Sequence, residues 1–147
     1  MRVLISACLL GVACRYDGKS RACPEAVRLL ENYELIPVCP EQLGGLPTPR
    51  PPAEIQKNGR VISRTGEDVT AAYRKGAEET LGLCRLTGCR AAVLKANSPS
   101  CGCGQVYDGS FSGVLVPGSG ITAQLLKDHG VRVLTEEDLL SSGGAVF

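Results

Sequence analysis

Arg2-Val3-Leu4-Ile5-Ser6-Ala7-Cys8 opens the chain with a short apolar, β-branched run that gives way to small residues and a thiol. Such a run predicts a buried strand. Leu35 to Val38 repeats the pattern and ends at Cys39-Pro40, Ala91 to Lys95 repeats it again, and Val131 to Leu134 is the last clear strand. Helical segments lie between them. Pro24 suits a first helical position, and Ala26, Val27, Leu29 and Leu30 supply an apolar face through about Glu31. The longest predicted helix runs from Glu67 to Leu86, with Val69, Ala72, Tyr73, Gly76 and Leu83 roughly on one face and acids near its start. Ile121 to His129 is closed by Gly130, and Thr135-Glu136-Glu137-Asp138 is a helix-start signal. Strands alternating with helices imply βαβ units and right-handed crossovers. The expected fold is a three-layer α/β/α sandwich with a mostly parallel, Rossmann-like sheet, formed by one domain over residues 1–147.

Glu41 to Ile55 departs from this rhythm. Its prolines fix φ and remove donors, so neither a helix nor a central strand is expected there. A long Gly/Pro-rich loop after a buried strand reads as the wall of a site. Gly59 to Arg64 is expected to form a short hairpin arm with the residues before it, and Gly143 to Phe147 to fray.

Composition narrows the function classes. The chain has 147 residues, 44% of them apolar, enough for a core without covalent staples. A formal charge of +1 leaves no electrostatic footprint for a nucleic-acid backbone. No apolar run reaches the roughly 20 residues of a membrane span. Ile5-Ser6-Ala7-Cys8 imitates a lipoprotein cleavage box, but too few residues precede Cys8 for a signal peptide of roughly 15–30 residues. A cytoplasmic location is expected.

The eight cysteines require an explanation: Cys8, Cys14, Cys23, Cys39, Cys84, Cys89, Cys101 and Cys103. An even count permits a disulfide framework, whereas cysteine clusters in a cytosolic chain point to metal or redox chemistry. Cys8, Cys39 and Cys101 each lie just beyond the C-terminal end of a predicted strand. In an open parallel sheet those ends share one edge, where ligands bind. Three soft thiolates there suit Zn²⁺, Cu(I) or an iron–sulfur cluster. The local Cys-x₂₋₄-Cys pairs common in structural zinc sites do not supply the set. Three scattered cysteines fit a [4Fe–4S] cluster with one iron open. Cys84, Cys23 and Cys89 read as small buried hydrophobes, while Cys14 and Cys103 are the alternatives should one chosen ligand be wrong.

Among the polar residues, Glu41 follows Cys39 by two positions and is expected to face the same pocket; the other reading is a helix cap or a surface carboxylate. Ser98 and Ser100 flank Pro99 before Cys101 and either serve the site or satisfy loop amides. Arg50 and Glu54 either bind an anion and support its binder or pair with each other. His129, the only histidine, is expected to cap a helix.

Four segments carry a resemblance to the bacterial thiouracil desulfidase (TudS) family: Ser6-Ala7-Cys8-Leu9-Leu10-Gly11; Arg15-Tyr16-Asp17-Gly18; Pro37-Val38-Cys39-Pro40-Glu41 with Gly44-Gly45-Leu46-Pro47-Thr48-Pro49-Arg50; and Lys95-Ala96-Asn97-Ser98-Pro99-Ser100-Cys101-Gly102. The resemblance implies an oxygen-sensitive [4Fe–4S] cluster on Cys8, Cys39 and Cys101, a catalytic acid at Glu41 and a catalytic serine at Ser98, with Ser100, Arg50 and Glu54 as substrate-binding candidates. It also implies non-redox replacement of C=S by C=O in a thiolated pyrimidine, releasing hydrosulfide. Glu41 would move protons between the ring nitrogen, the attacking water and the tetrahedral intermediate, and Ser98 would orient ring or water. Some relatives carry a further C-terminal domain and act on 4-thiouridine in tRNA. Without such an extension and with near-neutral charge, this chain is expected to act on small thiouracils or a nucleotide such as 4-thio-UMP. The competing reading is a non-catalytic module, either a sulfur carrier on a cluster or a zinc-stabilised interaction domain.

Overall fold

The computed structural model describes residues 1–142 and Phe147. In chain order the elements are β1 (Arg2–Ser6), α1 (Pro24–Arg28), β2 (Glu34–Val38), α2 (Pro40–Leu43), β3 (Ala53–Ile55), β4 (Val61–Ser63), α3 (Thr70–Thr87), β5 (Ala91–Leu94), β6 (Gln105–Tyr107), β7 (Leu115–Pro117), α4 (Ile121–Asp128), β8 (Arg132–Thr135) and α5 (Glu136–Ser142). The central sheet has the order β2-β1-β5-β8 with every pair parallel. The expected α/β/α layering is present. Val3, Ile5 and Val93 pack with Ala26, Leu29 and Leu139 on one face. Leu4, Ala92 and Leu94 pack with Leu81, Cys84, Ala123 and Leu126 on the other. The two-residue alternation of side chains along β1 and β5 divides one apolar run between two cores.

From β1 the chain crosses outward to β2, then returns past β1 to β5. The strand order therefore reverses between β1 and β5, and the loops leaving these strands diverge there and open a crevice. β3 and β4 form the expected antiparallel arm, with Glu54 opposite Ile62.

Several expectations need correction. The segment from 41 to 55 is not wholly irregular: Pro40 sits in the first turn of the short α2, where its missing N–H costs nothing, and Ala53–Ile55 is a strand. Helix α3 begins at Thr70 rather than Glu67. Its approach is held in other pairings, with Ser63 N–H donating to Glu67 O and Ile62 bridging Asp68. The face proposed for α1 is only half buried. The helix tightens into a 3₁₀ turn over Leu29–Glu31, so Ala26 and Leu29 point inward while Val27 and Leu30 are exposed. The β6–β7 hairpin was not anticipated. The fraying expected at Gly143 to Phe147 falls mostly outside the described residues.

One contact in this frame bears on function. α2 lies backbone-to-backbone on α3 through two glycines. A Cβ on Gly44 would stand 2.0 Å from Ala72 O, and one on Gly76 would stand 1.9 Å from Pro40 O. This closeness sets the position of α2 and of the acid it carries.

Candidate active site

Cys8 lies in the 3₁₀ turn over Ala7–Leu10 that leaves β1, Cys39 immediately precedes α2 at the end of β2, and Cys101 follows β5 in the turn closed by Gly102 N–H donating to Ser98 O. All three line one cavity of about 550 Å³, together with Cys14, Glu41, Arg50, Glu54 and Ser98. All eight cysteines are free. Cys39 Sγ donates to Cys14 O at 3.6 Å, and the Cys14 thiol neighbours those of both Cys39 and Cys8. Burial pushes the Cys101 thiol up to about 12, against the opposing pull of the Ser6 hydroxyl, which donates to its sulfur at 3.5 Å. The Cys14 thiol and burial likewise raise Cys39. Buried soft donors that hold their protons in this way need a strongly positive partner to become thiolates. Among the described residues, no three His, Cys, Asp or Glu side chains close on a single-ion site. The Cys8 and Cys39 thiols, which both neighbour Cys14, share the cavity with Cys101, a soft donor set of the kind that holds an iron–sulfur group.

Glu41 stands in the first turn of α2. Its Oε2 lies 3.1 Å from Arg50 Nη2, and Tyr73 donates its hydroxyl to Oε1. Burial, reinforced by the Glu41 charge, raises the Tyr73 phenol well above its ordinary value, so it stays a donor. Arg50 is fixed in turn, its Nη2 donating to Cys14 O and its Nη1 to Pro47 O and Thr48 Oγ1. Ser98 Oγ accepts the N–H groups of Ser100 and Cys101, both at 3.0 Å. With both lone pairs occupied, its hydroxyl is left only a proton to donate.

A family model described as 2-thiouracil desulfurase matches residues 3–138. The chain belongs to this family. It is 42% identical over 146 residues to the uncharacterized protein YbbK of Bacillus subtilis (strain 168), an alignment covering 93% of this chain and 97% of that one. A solved structure of the [4Fe–4S]-dependent thiouracil desulfidase TudS superposes with a TM-score of 0.88 at 45% identity, covering 99% of each chain.

Of the three substrate-binding candidates, Arg50 and Glu54 line the cavity and Ser100 does not. Ser100 is buried off the cavity, and its hydroxyl lies 2.9 Å from Thr122 Oγ1. Glu54 lines the cavity without pairing to Arg50; its Oε1 accepts the N–H groups of Gly109 (3.0 Å) and Phe111 (3.1 Å) and so fastens the β6–β7 loop as a wall. Of the two alternative thiols, Cys14 is in the cavity, whereas Cys103 turns towards Val133 O. His129 Nδ1 lies 2.9 Å from Leu125 O at the end of α4, in keeping with the capping expectation.

Sequence reasoning missed Ser6, Tyr73, Lys95, Asn97 and the wall residues Tyr107 and Phe111. A tyrosine on the apolar face of α3 signals a buried hydroxyl in need of a partner. Gly109 and Gly113, between two short apolar runs, were an available hairpin signal. Lys95, held 2.9 Å from Glu136 Oε2, carried no local signal, because its partner is on α5.

Proposed function

We propose that the protein replaces sulfur by oxygen in a thiolated pyrimidine, consuming water and releasing hydrosulfide without net redox change, in the reducing cytoplasm. The observation that carries the reading is one cavity receiving Cys8, Cys39, Cys101, Glu41 and Ser98 from three strand ends. Cys8, Cys39 and Cys101 would hold a [4Fe–4S] cluster. When bound, a cluster with one iron free of protein ligands supplies a soft Lewis acid matched to a thiocarbonyl sulfur.

The chain's own residues do the rest. Glu41, oriented by Arg50 and Tyr73, takes a proton from water as the water oxygen bonds to the ring carbon, passes it to the departing sulfur as the C–S bond breaks, and takes up the remaining hydroxyl proton as the carbonyl forms. Ser98, able only to donate, directs its hydroxyl to the ring or the water. Five cationic side chains and two carboxylates line the cavity, and Arg15, Arg21 and Arg64 are among the five. Arg15, Arg50 and Lys95 are paired with Asp17, Glu41 and Glu136, so among the described residues Arg21 and Arg64 are the cavity cations without an ion-pair partner, and these two favour an anionic substrate, 4-thio-UMP, over neutral 2- or 4-thiouracil or 4-thiouridine. The test is anaerobic reconstitution, iron and sulfide analysis, then loss of thiocarbonyl absorbance. Glu41→Ala should keep its iron and lose turnover. A fully loaded protein inert on thiouracils, 4-thiouridine and 4-thio-UMP would remove the proposal.

A further inference from the structure

Ser6, the last residue of β1, is 3% exposed and stands at the wall of the cavity. Its Oγ accepts the N–H of Lys95, the residue after β5, at 2.9 Å, and donates to Cys101 Sγ at 3.5 Å. The hydroxyl thus bonds across the seam between β1 and β5, where the strand order reverses. Satisfying Lys95 N–H needs only the oxygen. The proton is a separate matter: a hydroxyl has one, and among the described residues its acceptor is the Cys101 sulfur. A neutral thiol is a weak acceptor, so the buried proton is poorly matched while Cys101 keeps its own. A thiolate is a far better one, since hydrogen bonds to an ionised partner are roughly twice as strong as neutral ones. Cys101 is also held through its backbone, its N–H donating to Ser98 Oγ at 3.0 Å. Among the described residues no hydroxyl donates to the sulfur of Cys8 or Cys39, whose thiols neighbour Cys14 instead.

Resting on the reading that Cys8, Cys39 and Cys101 hold a [4Fe–4S] cluster, we propose that Ser6 is a positioning residue that keeps its hydroxyl on the Cys101 sulfur when that sulfur binds iron. Partners of this kind orient a ligand and tune the metal behind it. Hydrogen bonds to the sulfurs are among the levers that set an iron–sulfur potential. By drawing electron density off one sulfur, Ser6 raises that potential and strengthens the Lewis acidity that a thiocarbonyl sulfur meets.

The experiment compares wild type, Ser6→Ala and Ser6→Thr, each reconstituted anaerobically. Alanine removes the proton; threonine keeps it and suits a strand. Iron, sulfide and melting temperature are read first, then the midpoint potential, the iron–sulfur stretching bands by resonance Raman in H2O and D2O, and kcat and KM on 4-thio-UMP. Ser6→Ala should load fully, shift its potential to a more negative value, lose part of the D2O sensitivity of its bands, and lose on the order of tenfold in kcat with KM unchanged. Ser6→Thr should restore all four. Iron held by Ser6→Thr but lost by Ser6→Ala would show the same bond to be required for ligation itself. A loaded Ser6→Ala with wild-type potential and bands overturns the proposal, as does a loaded, stable Ser6→Thr that matches Ser6→Ala. If both variants lose iron and melt lower, the hydroxyl is a strut of the fold and the proposal also falls. A wild type that takes up no iron brings down the cluster reading instead, whereas a loaded wild type inert on thiolated pyrimidines removes desulfuration and leaves the potential shift standing.

Discussion

Two glycine-to-alanine changes in helix α3 should have opposite signs. Gly82 is exposed, with nothing within 4 Å of the point an added Cβ would occupy, so Gly82→Ala should stabilise by about 0.5–1 kcal/mol through helix propensity alone. Gly76→Ala gains the same propensity but places a carbon 1.9 Å from Pro40 O, where ordinary contact begins near 3.4 Å. Relief requires α2 and α3 to separate by roughly 1.5 Å, and both sides of the contact are backbone, with no flexible chain end to yield. Overpacking typically costs about 1–3 kcal/mol, so the clash outweighs the propensity gain and the net effect is destabilising. The displaced element carries Glu41, and a misplacement of about 1 Å can cost on the order of 100-fold in rate. Thermal melting separates the two variants, since 1 kcal/mol shifts Tm by about 2–4 °C in a chain of this size. Activity at matched iron content then isolates the displacement of Glu41. If Gly76→Ala melts higher than wild type, as Gly82→Ala should, the close approach of α2 to α3 is wrong, and with it this account of how the acid is positioned.

Other outcomes follow from the same geometry. Tyr73→Phe removes the donor to Glu41 Oε1 and should lower kcat about tenfold with little change in KM or iron content, a hydrogen bond to a charged group being worth about 1.5–3 kcal/mol; an unchanged kcat would show that the phenol does not orient the acid. Cys8→Ala should abolish iron and sulfide binding, whereas Cys84→Ala, which changes a buried thiol on α3 outside that cavity, should retain both; equal iron contents would refute the ligand assignment. Asp68 is held down to about 2, first by the Thr70 hydroxyl and then by the Thr70 N–H and Arg60. A depressed carboxylate contributes stability above its unfolded pKa and loses it as pH falls towards the folded value. Asp68→Asn should therefore destabilise at neutral pH, with the deficit vanishing between about pH 4 and 2; a deficit independent of pH in urea titrations would count against that source.

The legible part of the molecule was the part with period. Val3 to Ile5 and Ala91 to Leu94 announce buried strands, the intervening helices force parallel pairing, and from these alone Cys8, Cys39 and Cys101 could be sent to one sheet edge. Side-chain pairing was less legible, because it joins residues with no common period. Arg50 and Glu54 lie four apart and were open either to binding an anion or to pairing with each other; Glu54 instead looks across to Gly109 and Phe111, while Arg50 turns back to Glu41 on α2. Ser98 and Ser100 looked equivalent around Pro99. One faces the cavity and the other pairs with Thr122 on α4, a division set by the packing of that helix. The hidden hairpin and the short α2 share a cause: each is too short for periodicity and is stabilised from outside itself.

This difference in legibility has a physical consequence for the site. The strand-borne thiols are placed by the core, whose apolar burial is redundant across many side chains. The polar residues are placed by a few long-range bonds each, among them Ser6 to Cys101 and Lys95, Glu136 to Ala96 and Lys95, Arg50 to Cys14 and Glu41, and Glu54 to the β6–β7 loop. Loss of one such bond leaves the fold intact but lets a single functional group drift. Substitutions at these anchors should therefore damage rate more than stability, whereas substitutions in the strands should do the reverse.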